Sequence, residues 1–150
     1  MLSNQITSII ETVKSGGQSA PVLLSEIHAC EVCSALFGTE ITTLDDLAER
    51  TITDLFYYNT LDGSDGAQNY KIKTLKEFTQ KLHQKPNGDI LVVIFRNFEL
   101  FSTKSALVTS ANSLLNIFED VPTNLLIIVT SPAPQKIIPT LLSRMIIIDG

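Results

Sequence analysis

Tryptophan is absent from this 150-residue sequence, cysteine occurs twice, and cations are few: 11 Lys and Arg stand against 16 Asp and Glu, a net charge of -5. The shortage of positive charge argues against a domain that grips nucleic acid by itself, because neutralising phosphates takes clustered Lys and Arg. Lys71, Lys73, Lys76, Lys81 and Lys85 form the densest basic group, and they read as the solvated face of one helix rather than a DNA-facing stripe. Cys30 and Cys33 make the single Cys-x-x-Cys, with no second pair to complete a zinc site and no thioredoxin-like surroundings, so both read as reduced thiols. Nothing approaches the ~18 consecutive apolar residues of a membrane span, and no basic segment with an apolar core opens the chain, so a cytoplasmic address away from membranes follows by default. Seven Gly and six Pro are too few for a fibrous or low-complexity chain, and 44% hydrophobic with 18% charged residues is ordinary globular composition. The length suits one domain with one core.

What is present is an alternation of short apolar runs and amphipathic stretches. Ile6, Ile9, Ile10 and Val13 share one side of a helix over 3–14, stopped by Gly16 and Gly17. Residues 21–24 read as a short buried strand, Ser25 and Glu26 as a polar turn, and 29–37 as a helix. Thr42 and Thr43 cap a short helix carrying Leu44, Leu47 and Ala48. A strand over 54–58 leads into a polar loop over 59–68. Its Asp62, Gly63, Ser64, Asp65 and Gly66 resemble a calcium loop only superficially, lacking the alternating carboxylates and final Glu that such ligation requires. From Thr74 a helix turns Leu75, Phe78 and Leu82 inward and stops at Pro86, while His83 has no Cys or His at ligand spacing and reads as a surface histidine. The six consecutive apolar residues 90–95 make the strongest strand, and 124–130 and 145–148 are similar. Between these strands Ala111, Leu114, Leu115 and Phe118 follow helical spacing. Short apolar runs without alternation belong to parallel sheets covered on both faces. The expected fold is therefore a three-layer α/β domain whose parallel sheet of about five strands is built from right-handed βαβ units.

Residues 110–149 carry a resemblance. ANSLL at 111–115, FEDVP at 118–122, VTS at 129–131 and IPTLLSRM at 138–145 follow the order and spacing of "ANALLKTLEEPP", a strand ending near "TS", and "LLPTIRSRC" in clamp-loader subunits. The stretch is similar to the ATPase-type core of the delta prime kind of bacterial DNA polymerase III. Upstream, Ile72 to Phe78 and the pair Lys85 and Pro86 are similar to the family's "IDQIRELIEFLSLKP". The resemblance implies a P-loop NTPase-like (AAA+) core over 1–150 with strand order 5-1-4-3-2. The family's lid and collar domains, and its four-cysteine zinc module, have no counterpart here.

An active ATPase would place G-x-x-x-x-G-K-[ST] after the first strand, where glycines let backbone N–H groups close on phosphates and Lys adds a point charge. Ungapped alignment of 22–25 puts Glu26 and Glu31 at the glycines, Val32 at the Lys and Cys33 at the Thr or Ser. Two carboxylates and no Lys would repel a triphosphate. At the end of 90–95, Arg96 and Asn97 replace the Asp that holds magnesium and the Glu that orients water, so a cation repels the metal and an amide cannot act as base. Glu99 matches a position without catalytic consequence. Thr130 or Ser131 stands where γ-phosphate is sensed, but the following Asn is Pro132. One element survives: Ser143 and Arg144, followed by Met145, match the "SRC" motif, whose arginine reaches into a neighbouring subunit's ATP site. An arginine suits that task because it is always charged and presents a planar fork. The plainer alternative is that Arg144 only caps the preceding helix.

These losses and this retention imply a non-hydrolysing clamp-loader subunit that binds no cofactor and no metal. Its partners would be other clamp-loader subunits and the sliding clamp, with DNA met only as part of the complex. A pseudo-ATPase interaction domain without a replication role would share the lost motifs but would not need Arg144.

Overall fold

A computed structural model describes residues 4–49, 52, 54–58, 61–62, 68–69, 88–98, 116–137 and 139–148. The expected helix from Thr74, with His83 and the five lysines, lies outside them, as do positions 63–67, Glu99, Ala111, Leu114 and Leu115.

Helix α1 (Asn4–Lys14) follows from the spacing of its apolar residues: Ile6, Ile10 and Val13 are buried and Ile9 packs beside them. It ends on the glycine pair. Gly17 donates its N–H to Thr12 O at 2.9 Å, and a Cβ there would lie 2.8 Å from Thr12 Cγ2 and 2.9 Å from Thr12 O, so only glycine brings the chain this close.

Strand β1 (Val22–Leu23) passes into helix α2 (Glu26–Phe37) with only Leu24 and Ser25 between them. The helix begins at Glu26 rather than Ala29 because Ser25 is its N-cap, its hydroxyl accepting the His28 N–H at 3.3 Å. Gly38, at φ 65°, closes the other end by donating its N–H to Ser34 O. Helix α3 (Asp45–Glu49) and strand β2 (Leu55–Tyr58) follow. Where a polar loop is expected, β3 (Leu61–Asp62) and β4 (Gln68–Asn69) instead pair as an antiparallel hairpin. The remaining strands are β5 (Leu91–Phe95), β6 (Leu125–Val129) and β7 (Ile146–Ile147).

The main sheet is parallel throughout, in the order β2-β5-β6-β1-β7. Counted within that sheet and read from its other edge, this is the 5-1-4-3-2 order that the resemblance implies. Every residue of β5 and β6 is buried, which explains their unbroken apolar sequences: helices or loops cover both faces. Val92, Ile94, Leu126 and Ile128 face α1, α2 and α3, whereas Leu91, Val93, Phe95, Leu125, Ile127 and Val129 face Phe118, Val121, Ile137 and Leu141. Ile128 has no exposed surface, and its truncation to Ala would cost about 2–5 kcal/mol.

On the second face a row of rings crosses the sheet. Tyr58 stacks on Phe95 (5.5 Å), Phe95 meets Phe98 tilted (5.6 Å), and Phe98 stacks on Phe118 (5.9 Å). The row fixes the turn after β5 and the helical residues 116–119 against the same core. Because all five strands run the same way, Leu24, Tyr58, Arg96, Thr130 and Ile148 gather at one edge. That edge is where open α/β sheets bind ligands.

Candidate functional site

Arg96 follows β5 directly, and strand alternation points it to the face covered by α2 and α3. Its Nε donates to Glu26 Oε2 at 3.1 Å and its Nη2 to Glu26 Oε1 at 3.0 Å, a bidentate fork on the first residue of α2. Nη1 donates to Asp45 Oδ1, at the start of α3, and to the Tyr57 hydroxyl on β2 at 3.2 Å. One side chain thus ties two helix N-termini to the strand tips. The Arg96 side chain is 17% exposed, Glu26 41% and Asp45 78%. Burial alone would lower the guanidinium pKa, but its hydrogen bonds to Tyr57, Asp45 and Glu26 outweigh it and hold the pKa above the usual arginine range. Burial also pushes the Tyr57 phenol up, against the opposing pull of Arg96. Glu26 also suits the positive end of the α2 dipole.

Beyond β1, a groove of about 350 Å³ opens across the tips of β1, β6 and β7, lined by Leu24, Ser25, Ser131, Pro134, Gln135 and Ile147 among others. Among the described residues none of its lining side chains is charged. Thr130 has no exposed surface, and its hydroxyl has no hydrogen-bond partner among the described residues.

A second polar centre lies on the far side of the sheet. Arg144 follows the single-turn helix Pro139–Leu142, and its Nε and Nη2 both approach Glu119 Oε1, at 2.8 and 2.7 Å. Its Nη1 donates to Thr140 O at 2.8 Å and to Ser143 Oγ at 3.2 Å, while the Ser143 hydroxyl donates to Thr140 O at 3.0 Å. The guanidinium therefore does cap the preceding turn, as the plainer expectation has it, and also forms an ion pair. The side chains are 34% and 46% exposed, leaving the pair open to solvent on one side.

With this geometry in place the comparisons are decisive for family. A family model described as DNA polymerase III, delta subunit, matches residues 22–149. The chain belongs to that family. Among solved structures, the chain is similar to a DNA polymerase III gamma subunit-related protein from Thermotoga maritima, with a TM-score of 0.66 and 14% identity over 98% of this chain and 46% of that one. The chain thus spans less than half the length of that relative, and at this identity the likeness bears on the fold, a P-loop NTPase-like parallel sheet. No curated protein matches.

Placed on the DNA polymerase III delta-family fold, the expected remnants of a nucleotide site separate. Of the four residues aligned with the phosphate loop, Glu26 alone meets the strand tips, through Arg96. Glu31 lies 3.6 Å from His28 Nδ1 on the outer side of α2, and Val32 and Cys33 have no exposed surface at all. Since α2 starts at Glu26, the residues aligned with a phosphate loop are helix, and their backbone N–H groups are turned along the helix axis instead of around an anion. Asn97 adopts φ 58°, a left-handed turn that Asn tolerates, and aims the chain toward Phe98. The pairing of Arg96 with Glu26 was missed by reading each as a separate loss. Opposite charges at the ends of β1 and β5 were its available signal, since one strand, β6, separates those tips. Among the described residues no helix is long and apolar enough to cross a membrane.

Proposed function

We propose that this chain is a non-hydrolysing clamp-loader subunit of the delta prime kind, which helps to load the sliding clamp in DNA replication and offers Arg144 to a neighbouring subunit's ATP site. One observation supports the non-hydrolysing part above all: the strand tips carry an Arg96, Glu26, Asp45 and Tyr57 cluster where an ATPase would hold phosphate and magnesium. That α2 starts at Glu26, with Val32 at the position aligned with the lysine, also supports this reading, in which no cofactor or metal is needed. Its partners are other subunits of the loader and the clamp, DNA is met within that assembly, and the work is cytoplasmic.

Purification of the native-length protein from its source cells, with mass spectrometry of its companions, tests this reading. Recovery of the polymerase's ATP-hydrolysing loader subunit supports it. Reproducible absence of that subunit would refute it. In a loader rebuilt with R144A, DNA-stimulated ATP hydrolysis should fall while assembly persists, because an arginine supplied in trans contributes to the transition state.

A second reading, a pseudo-ATPase interaction domain without a replication role, draws on the Arg144 and Glu119 pair, which gives the arginine an employment within its own chain. Unimpaired hydrolysis with R144A would favour it.

A further inference from the structure

The fork by which an arginine grips an anion is already filled in this chain. Arg144 directs Nε and Nη2, the two parallel donors of that fork, at one oxygen of Glu119, and Nη1 is taken by Thr140 O and Ser143 Oγ. Glu119 is itself fixed: the preceding Phe118 is 2% exposed and stacks on Phe98 at 5.9 Å and 18°. Leu141, 1% exposed, anchors the turn that carries Arg144 to the same core. A carboxylate next to one buried anchor therefore meets an arginine near another, and both side chains stay partly exposed.

We infer that Glu119 is a positioning residue that acts as a competing anion in cis: it holds Arg144 in reserve until a phosphoryl group of a neighbouring subunit's nucleotide displaces it. The inference rests on the trans role proposed above for Arg144. A monoanionic carboxylate is a weaker ligand for this fork than a phosphoryl group carrying more than one charge and several acceptor oxygens, so exchange favours phosphate. Because the pair is partly exposed, the latch is soft. While closed, it lowers the population of available arginine by no more than about fivefold, the value of a good exposed ion pair. Ser143 and Thr140 O keep Nη1 during the exchange, so the guanidinium pivots about that end and does not swing free.

The test uses a clamp loader reassembled from the source organism's subunits, with the full chain carrying Glu119→Gln, Arg144→Ala or both, and reads kcat/KM for ATP. E119Q should raise kcat/KM by up to about fivefold, R144A should lower it, and the double variant should match R144A, since Glu119 acts only through Arg144. If R144A lowers kcat/KM but E119Q leaves it unchanged or lowers it, the latch is overturned while the trans arginine stands. If R144A changes nothing, both fall together. Should E119Q loaders fail to assemble, the side-chain Nε–H resonance of Arg144 in the chain alone decides: slow rotation about Nε–Cζ in the native chain, released in E119Q, is required. Free rotation in the native chain would overturn the inference.

Discussion

Replacing Arg96 by Ala removes the tie between α2, α3 and the strand tips, and the structure allows its cost to be worked out. Four hydrogen bonds go, two of them the bidentate fork on Glu26. Charge-assisted bonds contribute about 1.5–3 kcal/mol each when well shielded. The Asp45 pair is discounted almost entirely, because Asp45 is 78% exposed and surface pairs contribute about 0–1 kcal/mol. Glu26, at 41% exposed, can rehydrate, so its fork retains only part of its shielded value. Two carboxylates are then left without their cation, a modest further penalty beside open solvent. The net is about 2 kcal/mol, which for a domain of this size lowers Tm by roughly 4–8 °C. Thermal and urea unfolding followed by circular dichroism measure it. Arg96→Lys should fall between native and Ala, keeping charge but losing the fork. In a double-mutant cycle, Glu26→Ala and Arg96→Ala should show coupling of about 1–2 kcal/mol. An R96A chain within about 0.5 kcal/mol of native, or additive single effects, would refute the claim that this cluster holds the helices to the sheet edge.

Gly17→Ala should destabilise by about 1–3 kcal/mol, since its Cβ would press on backbone at Thr12 O, and urea midpoints will show it. A loss below about 0.5 kcal/mol would mean that the α1 terminus yields easily. Burial, with Cys30 nearby, pushes the Cys33 thiol up from 9.0 to about 12. The folded state thus keeps a proton that the unfolded chain releases above about pH 9, so stability is complete below that pH and declines as pH rises through 12. Unfolding at pH 8 and 10.5 should reveal this decline, with a flatter slope for Cys33→Ala; identical slopes would exclude the thiol as its source.

Much of the fold was legible because its central strands say so plainly. The runs over 90–95 and 124–130 carry no polar alternation, and β5 and β6 are buried on both faces. Strand order came from the resemblance, since local pattern does not rank parallel strands in space. The start of α2 was misplaced because Ser25 and Glu26 resemble a turn, although a Ser followed by an acidic residue is also an N-cap signature. The β3 and β4 hairpin escaped notice because two-residue strands have too few positions to display a period. At the strand tips the sequence placed Glu26 and Arg96 as separate expected losses, and their joint arrangement could not be read from it. Arg96 and Glu26 are 70 positions apart, and Arg144 and Glu119 are 25 apart, so each pair is made by topology and not by local pattern.

The two polar centres engage Arg96 and Arg144 within the chain, and Arg96 lies where a nucleotide of the chain's own would bind. At the sheet edge, Arg96 satisfies two carboxylates and a phenol, and on the proposed reading magnesium ATP at that place would have to break these contacts. Calorimetric titration of magnesium ATP into the purified chain at neutral pH tests this most directly. The account predicts no heat beyond dilution up to about 1 mM nucleotide, an affinity limit near -4 kcal/mol. Saturable binding with a submillimolar Kd would contradict it, and a change in that affinity on Glu26→Lys or Arg96→Ala would place the contradiction at these strand tips.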